Sequence, residues 1–402
     1  MKHEANGIEY QYAELLAGSY ELDSRPMLYF STEVLNFLAA LSDKIRRLPR
    51  EASGDELRSL AFWLRRAHLL ELKKTYIGSD RLGLGITFHI APANVPMMFA
   101  YSCFIGLLAG NSCRVRLSGR RTRDAALLCE LIETVLKEPD FVKLRQRISI
   151  LSYAREHTAL TELFSRKCDV RIIWGGDHTV EAIRAIPLNP LASELVFPDR
   201  HSIAVFGAEA VLSLSPEDLK ILADRFYNDT YAMDQNACSC PRLLFWREET
   251  AKAGQQAADR FWSALGTAAK RYELPEIKIS QKYGALWELA ESCTDIRQLK
   301  RYDNRLYVLE EAAIPKEVPA GFLKYGTFLE YHMKRETDWI AAVSARTQTL
   351  SYFGVPPESL RAAISERRLS GIYRIVPVGQ ALEMDLVWDG KDLIRCLSRP
   401  IP

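Results

Sequence analysis

The sequence predicts an α/β protein built on two parallel-sheet domains, and three observations carry that prediction. From residue 81, four short apolar or alternating runs are each followed by a helical stretch within about 110 residues, the pattern of strand–helix–strand crossovers in a parallel sheet. From residue 202, a second series of strand candidates alternates with helices. No repeat of 20–50 residues and no Pro/Gly/Ser-rich linker interrupts the chain, so two packed α/β domains with a cleft between them are the economical arrangement.

Taken in order, residues 1–80 read as a helical cover, with apolar residues at three- and four-residue intervals over 33–47 and 55–72. In the first domain, 81–200, "ITFHIAP" precedes "VPMMFAYSCFIGLLAG" and "SCRVRLS" precedes "TRDAALLCELIETVLKE". "ISILSY" then precedes "HTALTELFS", and "DVRIIWGG" precedes "DHTVEAIRAI". Right-handed crossovers put a ligand crevice at the carboxyl ends of these strands. The second domain, 201–376, opens on "SIAVFG", followed by a helix over 217–227, a cysteine-bearing loop, the strand "RLLFW" and a helix over 248–271. Strands "RLYVLEEA", "GTFLEYHM", "TQTLSYFG" and "IYRIVPVG" follow, separated by helical stretches such as 357–366. Residues 377–402 read as a C-terminal strand and tail segment.

Composition excludes several classes. At 402 residues and 48% hydrophobic, the chain has apolar surface enough for ordinary globular cores. Fifty-three basic against 51 acidic residues leave a net charge of +2, so no electrostatic footprint for nucleic acid is present. The first twelve residues carry His3, Glu4, Asn6 and Glu9 where a signal peptide needs an apolar run, and no stretch approaches 18 uninterrupted apolar residues. The expectation is a cytoplasmic protein with no integral membrane segment. Eight cysteines (Cys103, Cys113, Cys129, Cys168, Cys238, Cys240, Cys293 and Cys396) lie at irregular spacings, which fits reduced thiols better than a disulfide framework.

Four segments carry chemistry. In "APANVP", 91–96, Asn94 precedes a helix marked by Pro96; it either caps that helix, worth about 1 kcal/mol, or donates its amide N–H to an oxyanion in the crevice. In "AGNSCRVRLSGR", 109–120, Gly110 and Asn111 make a turn, and alternation puts Arg114, Arg116 and Ser118 on one face. Such a pair is ordinarily solvated, but Arg116 and Ser118 at the end of a second strand also suit an adenosine ribose, and a guanidinium suits a 2′-phosphate. In "WGGDHTVEAIR", Gly175 and Gly176 either form a tight βα turn or let a pyrophosphate approach the N–H groups of a helix N-terminus. Finally, "MDQNACSCPR", 233–242, holds Cys238 and Cys240 one residue apart. No second cysteine pair and no His-x₃₋₅-His accompanies them, so no metal site is expected, and a redox dithiol ordinarily needs Cys-x-x-Cys. Inert thiols in a packed turn remain open. Against that, small residues flank Cys238, amides stand at Gln235 and Asn236, and the loop lies between a helix and a strand, where it can face the cleft.

The order of these segments resembles the aldehyde dehydrogenase superfamily: "APANVP" is similar to its Pro-x-Asn-x-Pro turn, and "GNSCRVRLS" to its Gly-Asn strand ending in Lys-Pro-Ser. More narrowly, "GNSCRVRLS", "DQNACSCP", "KYGTFLEY" and the tail "YRIVPVGQALEMDLVWDGKDLIRCLSR" resemble the long-chain fatty acyl-CoA reductases of the bacterial luminescence fatty-acid reductase, over roughly 81–399. The resemblance implies a Rossmann-type cofactor domain and an α/β catalytic domain, with the active site in the cleft between them. It implies Cys238 as nucleophile and Asn94 as oxyanion partner, with Arg116 at the ribose-binding lysine position. The chain departs from the pattern twice. The Glu-Leu-Gly-Gly segment of the hydrolytic base is "ELVFPDRHS" here, leaving Glu194 with a minor role at most, and "LKYGT" puts Leu323 where a ribose-binding acid belongs.

What the resemblance implies is reduction of a fatty acyl thioester to the aldehyde with NADPH through an acyl-cysteine. The donor would be acyl-CoA or an acyl-protein thioester, with an acyl-protein synthetase or acyl carrier protein as partner, and the chain a homo-oligomer. The alternatives are a hydrolytic NAD(P)-dependent aldehyde dehydrogenase using Glu194, a cofactor-free cysteine acyltransferase or acyl carrier, and a non-catalytic nucleotide-binding scaffold.

Overall fold

In a computed structural model, residues 4–5, 8–76, 80–92, 95–119, 121–292, 295–315 and 317–401 are described. The chain divides into two compact units, Met1–Pro198 with Met384–Pro402, and Asp199–Glu383.

The first unit is built on a six-stranded sheet whose strands are β1 (Glu14–Gly18), β2 (Ile86–Ile90), β3 (Ser112–Leu117), β4 (Ile148–Ser152), β5 (Val170–Trp174) and β6 (Ser193–Phe197). Their order is β1-β4-β3-β2-β5-β6; β1 is antiparallel to β4 and the other pairs are parallel. Numbering only the parallel strands gives 3-2-1-4-5, the dinucleotide-fold order, whose switch point lies between β2 and β5.

Between β1 and β2 lie helices α1 (Thr32–Arg46), α2 (Asp55–Trp63) and α3 (Arg66–Lys74). The continuous helix predicted over 55–72 is therefore broken, because Arg65 takes an extended ψ of 135° between α2 and α3. Strand β1, inside the region read as a helical cover, pairs along β4 instead. Helix α4 (Met98–Leu108) is apolar on every side and correspondingly buried along almost its whole length. It is followed by α5 (Arg123–Leu136), capped by Thr122, and by α6 (Thr158–Lys167) and α7 (Asp177–Arg184). Beneath the sheet, Phe88, Ile90, Leu151, Tyr153, Phe164 and Ile173 form one core cluster.

The C-terminal tail returns to this unit. Ser398–Pro400 pairs antiparallel with Arg81–Gly83. The buried Asn111 side chain donates to Leu397 O at 2.8 Å and accepts from Leu84 N at 2.7 Å, so the Gly-Asn turn fastens the tail.

The second unit holds seven strands: β7 (His201–Gly207), β8 (Pro241–Arg247), β9 (Ile296–Tyr302), β10 (Leu306–Glu311), β11 (Thr327–His332), β12 (Thr347–Phe353) and β13 (Arg374–Pro377). The order is β9-β10-β11-β8-β7-β12-β13, parallel throughout except for edge strand β9. Both faces are covered, so the central strands are apolar on both sides. Ala204, Phe206, Leu244 and Trp246 enter one core with helices α8 (Pro216–Thr230) and α9 (Ala251–Ala268). Ile203, Val205, Leu243 and Phe245 enter the other with α10 (Glu276–Ser292) and α11 (Pro357–Arg367). Each fully buried aromatic or aliphatic chain stabilises the unit by about 1.5–3 kcal/mol.

Candidate active site

The cysteine loop is shaped by two consecutive residues in the left-handed region, Asp234 (φ 55°) and Gln235 (φ 61°). Non-glycine residues there each cost on the order of 1–3 kcal/mol and persist only when their surroundings over-determine them. Gln235 is fully buried and supplies that restraint. Its Oε1 accepts from Gly326 N at 3.0 Å and Thr327 N at 3.3 Å, and its Nε2 donates to Thr327 O at 3.0 Å. Arg242 clamps the loop from the other side, donating to Gln235 O at 2.7 Å and Ala320 O at 3.1 Å. At the far end of the Gln235 bridge, Gly326 takes φ +77°, and a Cβ there would meet Arg305 O at 2.1 Å. Only glycine fits.

Held this way, the two cysteines differ. Cys238 is partly exposed, and its Sγ accepts from Gln348 Nε2 at 3.2 Å. Its carbonyl accepts from Ser202 Oγ at 2.7 Å, and that hydroxyl in turn accepts from Thr349 N at 3.1 Å. Cys240 is wholly buried, with Sγ 3.9 Å from Thr230 O, and burial pushes its thiol up to about 12. Of the pair, Cys238 is the thiol presented for chemistry.

Around Cys238 the N-terminal ends of β7, β8 and β12 converge. His201, at the start of β7, is buried, and burial together with the guanidiniums of Arg242 and Arg346 lowers it to about 4. It is neutral near pH 7, with Nε2 3.1 Å from Thr347 Oγ1. Burial also lowers Arg242, whose charge acts on both Cys240 and Cys238. A guanidinium keeps its proton even so. Sequence reasoning did not single out Gln348, Ser202, His201 or Arg242. One signal was available: "TQT" opens a strand with three polar residues in succession, and all three are fully buried.

In the first unit, the predicted cofactor residues lie at the carboxyl ends of the parallel strands, flanking the switch point. Arg116 sits with its guanidinium 5.0 Å from the centre of the Tyr153 ring, and its Nε is buried without a hydrogen-bond partner. Ser118 follows β3 and is partly buried. Gly175 follows β5, and its N–H donates to Phe197 O at 3.3 Å. A Cβ at Gly175 would stand 3.1 Å from Thr179 Cβ and Cγ2. Gly176 is the N-cap of α7, its carbonyl accepting from Thr179 N and Val180 N, with no side-chain cap hydrogen bond; Asp177 lies in the first turn. The Arg116 Nε, buried without a hydrogen-bond partner, fits an anionic group of a dinucleotide. Asn94 lies outside the described residues; Ala91, three residues earlier in the chain, donates its N–H to Arg116 O at 3.2 Å.

Glu194 on β6 faces Arg171 on β5 across the sheet. Its Oε2 accepts from Arg171 Nε at 2.7 Å, and its Oε1 accepts from Arg184 Nε at 2.8 Å. Both oxygens are thus engaged by guanidiniums. Leu323, the residue at the expected acid position, is fully buried in an apolar cluster. A separate group, Glu310, Glu330 and His332, brings potential ligand atoms within 4.8 Å of one another. Its members already pair with Arg297, Lys300 and Glu248 respectively.

A dinucleotide-order sheet in one unit and a cysteine loop on a second parallel sheet define the aldehyde dehydrogenase fold. Among solved structures, lactaldehyde dehydrogenase from Escherichia coli matches with a TM-score of 0.62 at 14% identity, over 92% of this chain and 85% of that one. PnpE, solved in complex with nicotinamide adenine dinucleotide, matches with a TM-score of 0.64 at 12% identity, over the same shares of the two chains. Within that fold, the family model described as acyl-CoA reductase (LuxC) matches residues 20–399, and the chain belongs to that family. The long-chain acyl-protein thioester reductase of Vibrio harveyi is 24% identical over 306 residues, 73% of this chain. The match spans 58% of that relative's length. No described helix is long and apolar enough to cross a membrane.

Proposed function

We propose that this chain reduces a long-chain fatty acyl thioester to the fatty aldehyde with NADPH, through an acyl group carried on Cys238. The thiolate attacks the thioester carbonyl, a carbon–sulfur bond forms, and the donor leaves as its own thiolate. Asn94 and a backbone N–H near Cys238 are the proposed donors to the intermediate oxyanion. A nicotinamide cofactor, when bound at the first unit's strand ends, would supply the hydride that the acyl carbon on Cys238 accepts. The bond to Cys238 then breaks, its electron pair returning to sulfur, and the aldehyde leaves. Arg116 and Ser118 are assigned to the adenosine ribose, with Arg116 on the 2′-phosphate, and Gly175 and Gly176 to the pyrophosphate. The donor is fatty acyl-CoA or an acyl-protein thioester, as the name of the Vibrio harveyi relative indicates for that protein. An acyl-protein synthetase or acyl carrier protein is the matching partner, and a homo-oligomeric cytoplasmic enzyme completes the reading.

The observation that carries reduction over hydrolysis is the state of Glu194. A general base must be free to take a proton from water, whereas both oxygens of Glu194 are held by Arg171 and Arg184. Transfer from one sulfur to another needs no activated water. The test is acylation of the pure protein by labelled acyl-CoA, with and without NADPH. Cys238→Ala is expected to abolish the label, Cys240→Ala to retain it, and NADPH to discharge it as aldehyde. Label that survives in Cys238→Ala and is lost in Cys240→Ala moves the nucleophile by two residues.

A further inference from the structure

We propose that Gln348 is a catalytic residue that sets the ionisation of Cys238: its side-chain N–H donates to the sulfur, holding the thiolate before attack and receiving the charge again when the aldehyde departs. The inference rests on the reading of Cys238 as the nucleophile.

The geometry is specific. Gln348 lies on β12, 110 residues from Cys238 in sequence, and its Nε2 stands 3.2 Å from Sγ. Its main chain is already used by the sheet edge, where its carbonyl accepts from Tyr373 N at 2.8 Å. The contact to the sulfur is made by the side chain and leaves that pairing undisturbed. Thr349 Oγ1 donates to Gln348 Oε1 at 3.5 Å, which turns the amide so that its NH₂ faces Cys238. The same short segment fixes the nucleophile's main chain, since Thr349 N reaches Ser202 Oγ and Ser202 Oγ reaches Cys238 O. Sulfur and carbonyl of Cys238 are therefore both registered against residues 348 and 349.

Charge makes the case for a role beyond packing. A fully buried amide loses its hydration and is retained only where its polar atoms are used. Donation to an anionic sulfur is worth more than donation to a neutral thiol, so it favours the ionised form. An imidazolium is the usual alternative device, but His201 is held neutral and its Nε2 is beside Thr347 Oγ1. Arg242 adds fixed positive charge without occupying the sulfur. An amide has no proton to exchange near neutral pH, so the donor stays in place through both halves of the reaction. During attack it releases charge to the forming carbon–sulfur bond; during collapse of the hydride adduct it takes the returning pair's charge, and no proton transfer to Cys238 is required.

The test uses the full chain and follows alkylation of the Cys238 peptide by iodoacetamide across pH, in the parent, in Gln348→Met and in Gln348→Glu. Methionine keeps the volume and removes the donor; glutamate puts a negative charge against the sulfur. The expected alkylation midpoints rise in the order parent, Met, Glu, with Gln348→Met raised by about one unit, equivalent to about tenfold less thiolate at neutral pH. The rate of acylation by acyl-CoA is expected to fall in the same order, with the dissociation constant for NADPH unchanged. Equal midpoints in the parent and Gln348→Met overturn the proposal, whatever happens in Gln348→Glu or to overall activity. If Gln348→Met does not fold, Gln348→Ala, which removes the donor without adding charge, decides it by the same comparison of midpoints. Absence of acyl label on parental Cys238 is a different failure: it removes the functional reading, while the thiol midpoints still report on the hydrogen bond.

Discussion

Replacing Glu194 by glutamine separates a structural carboxylate from a catalytic one. Arg171 is the more buried of its two partners, with a side chain only 3% exposed, while Arg184 is 59% exposed. Removing the negative charge leaves the Arg171 guanidinium buried without its counter-charge, a loss of about 3–5 kcal/mol when one partner of a buried pair is deleted. The exposed pair with Arg184 adds at most about 1 kcal/mol. Glutamine retains one acceptor oxygen, and Arg171 keeps its bonds to Ser165 Oγ and Ile186 O, so the lower end, about 3 kcal/mol, is expected. Denaturant unfolding of parent and Glu194→Gln measures this directly. Aldehyde formation per folded molecule is expected to stay within a few-fold. A hydrolytic base behaves the opposite way: stability barely changes, and deacylation falls by about 10²–10⁴-fold. Aldehyde oxidation that runs without coenzyme A, and collapses in a Glu194→Gln protein of unchanged stability, refutes the reasoning.

Two further outcomes follow from the same geometry. Arg116→Ala is expected to weaken NADPH binding by about 1–3 kcal/mol, the range for hydrogen bonds to charged groups, and to affect NADH much less; fluorescence titration with both nucleotides checks it, and equal losses remove the phosphate role. His201 is lowered to about 4 from its ordinary 6.5. Above pH 6.5 it is neutral folded or unfolded; as pH falls from there toward 4, the unfolded chain takes up a proton the native state refuses, and stability is lost, by up to about 3 kcal/mol. Urea unfolding of His201→Gln is expected to show a shallower acid decline over that window, and an identical decline rules the assignment out.

The parallel sheets were legible because their strands are apolar on both faces and their helices carry ordinary caps, as in Thr122 before α5 and Ser215 before α8. Edge strands β1 and β9 were not. "IRQLKRY" in β9 is polar and largely exposed, so its composition resembles a solvated loop, and only pairing with β10 makes it a strand. The break between α2 and α3 was hidden because "WLRRAHLL" keeps helical spacing on both sides of it. Of the site, the cysteine loop and the glycines after β5 stood out by residue type. Gln348 and Arg242 did not, because a buried amide and a buried guanidinium are indistinguishable in sequence from solvated ones until long-range partners place them.

Those long-range partners also set when the thiol becomes competent during synthesis. Gln235 is fastened by Gly326 and Thr327, 91 and 92 residues downstream, and Cys238 accepts a hydrogen bond from Gln348, 110 residues downstream. A chain emerging from the ribosome therefore carries Cys238 through most of the second unit's translation with neither its loop restrained nor its sulfur hydrogen-bonded. On the proposed reading of Cys238 as nucleophile, the setting of that thiol is completed only when β11 and β12 dock, and an abortive translation product is expected to be a poor target for acyl donors.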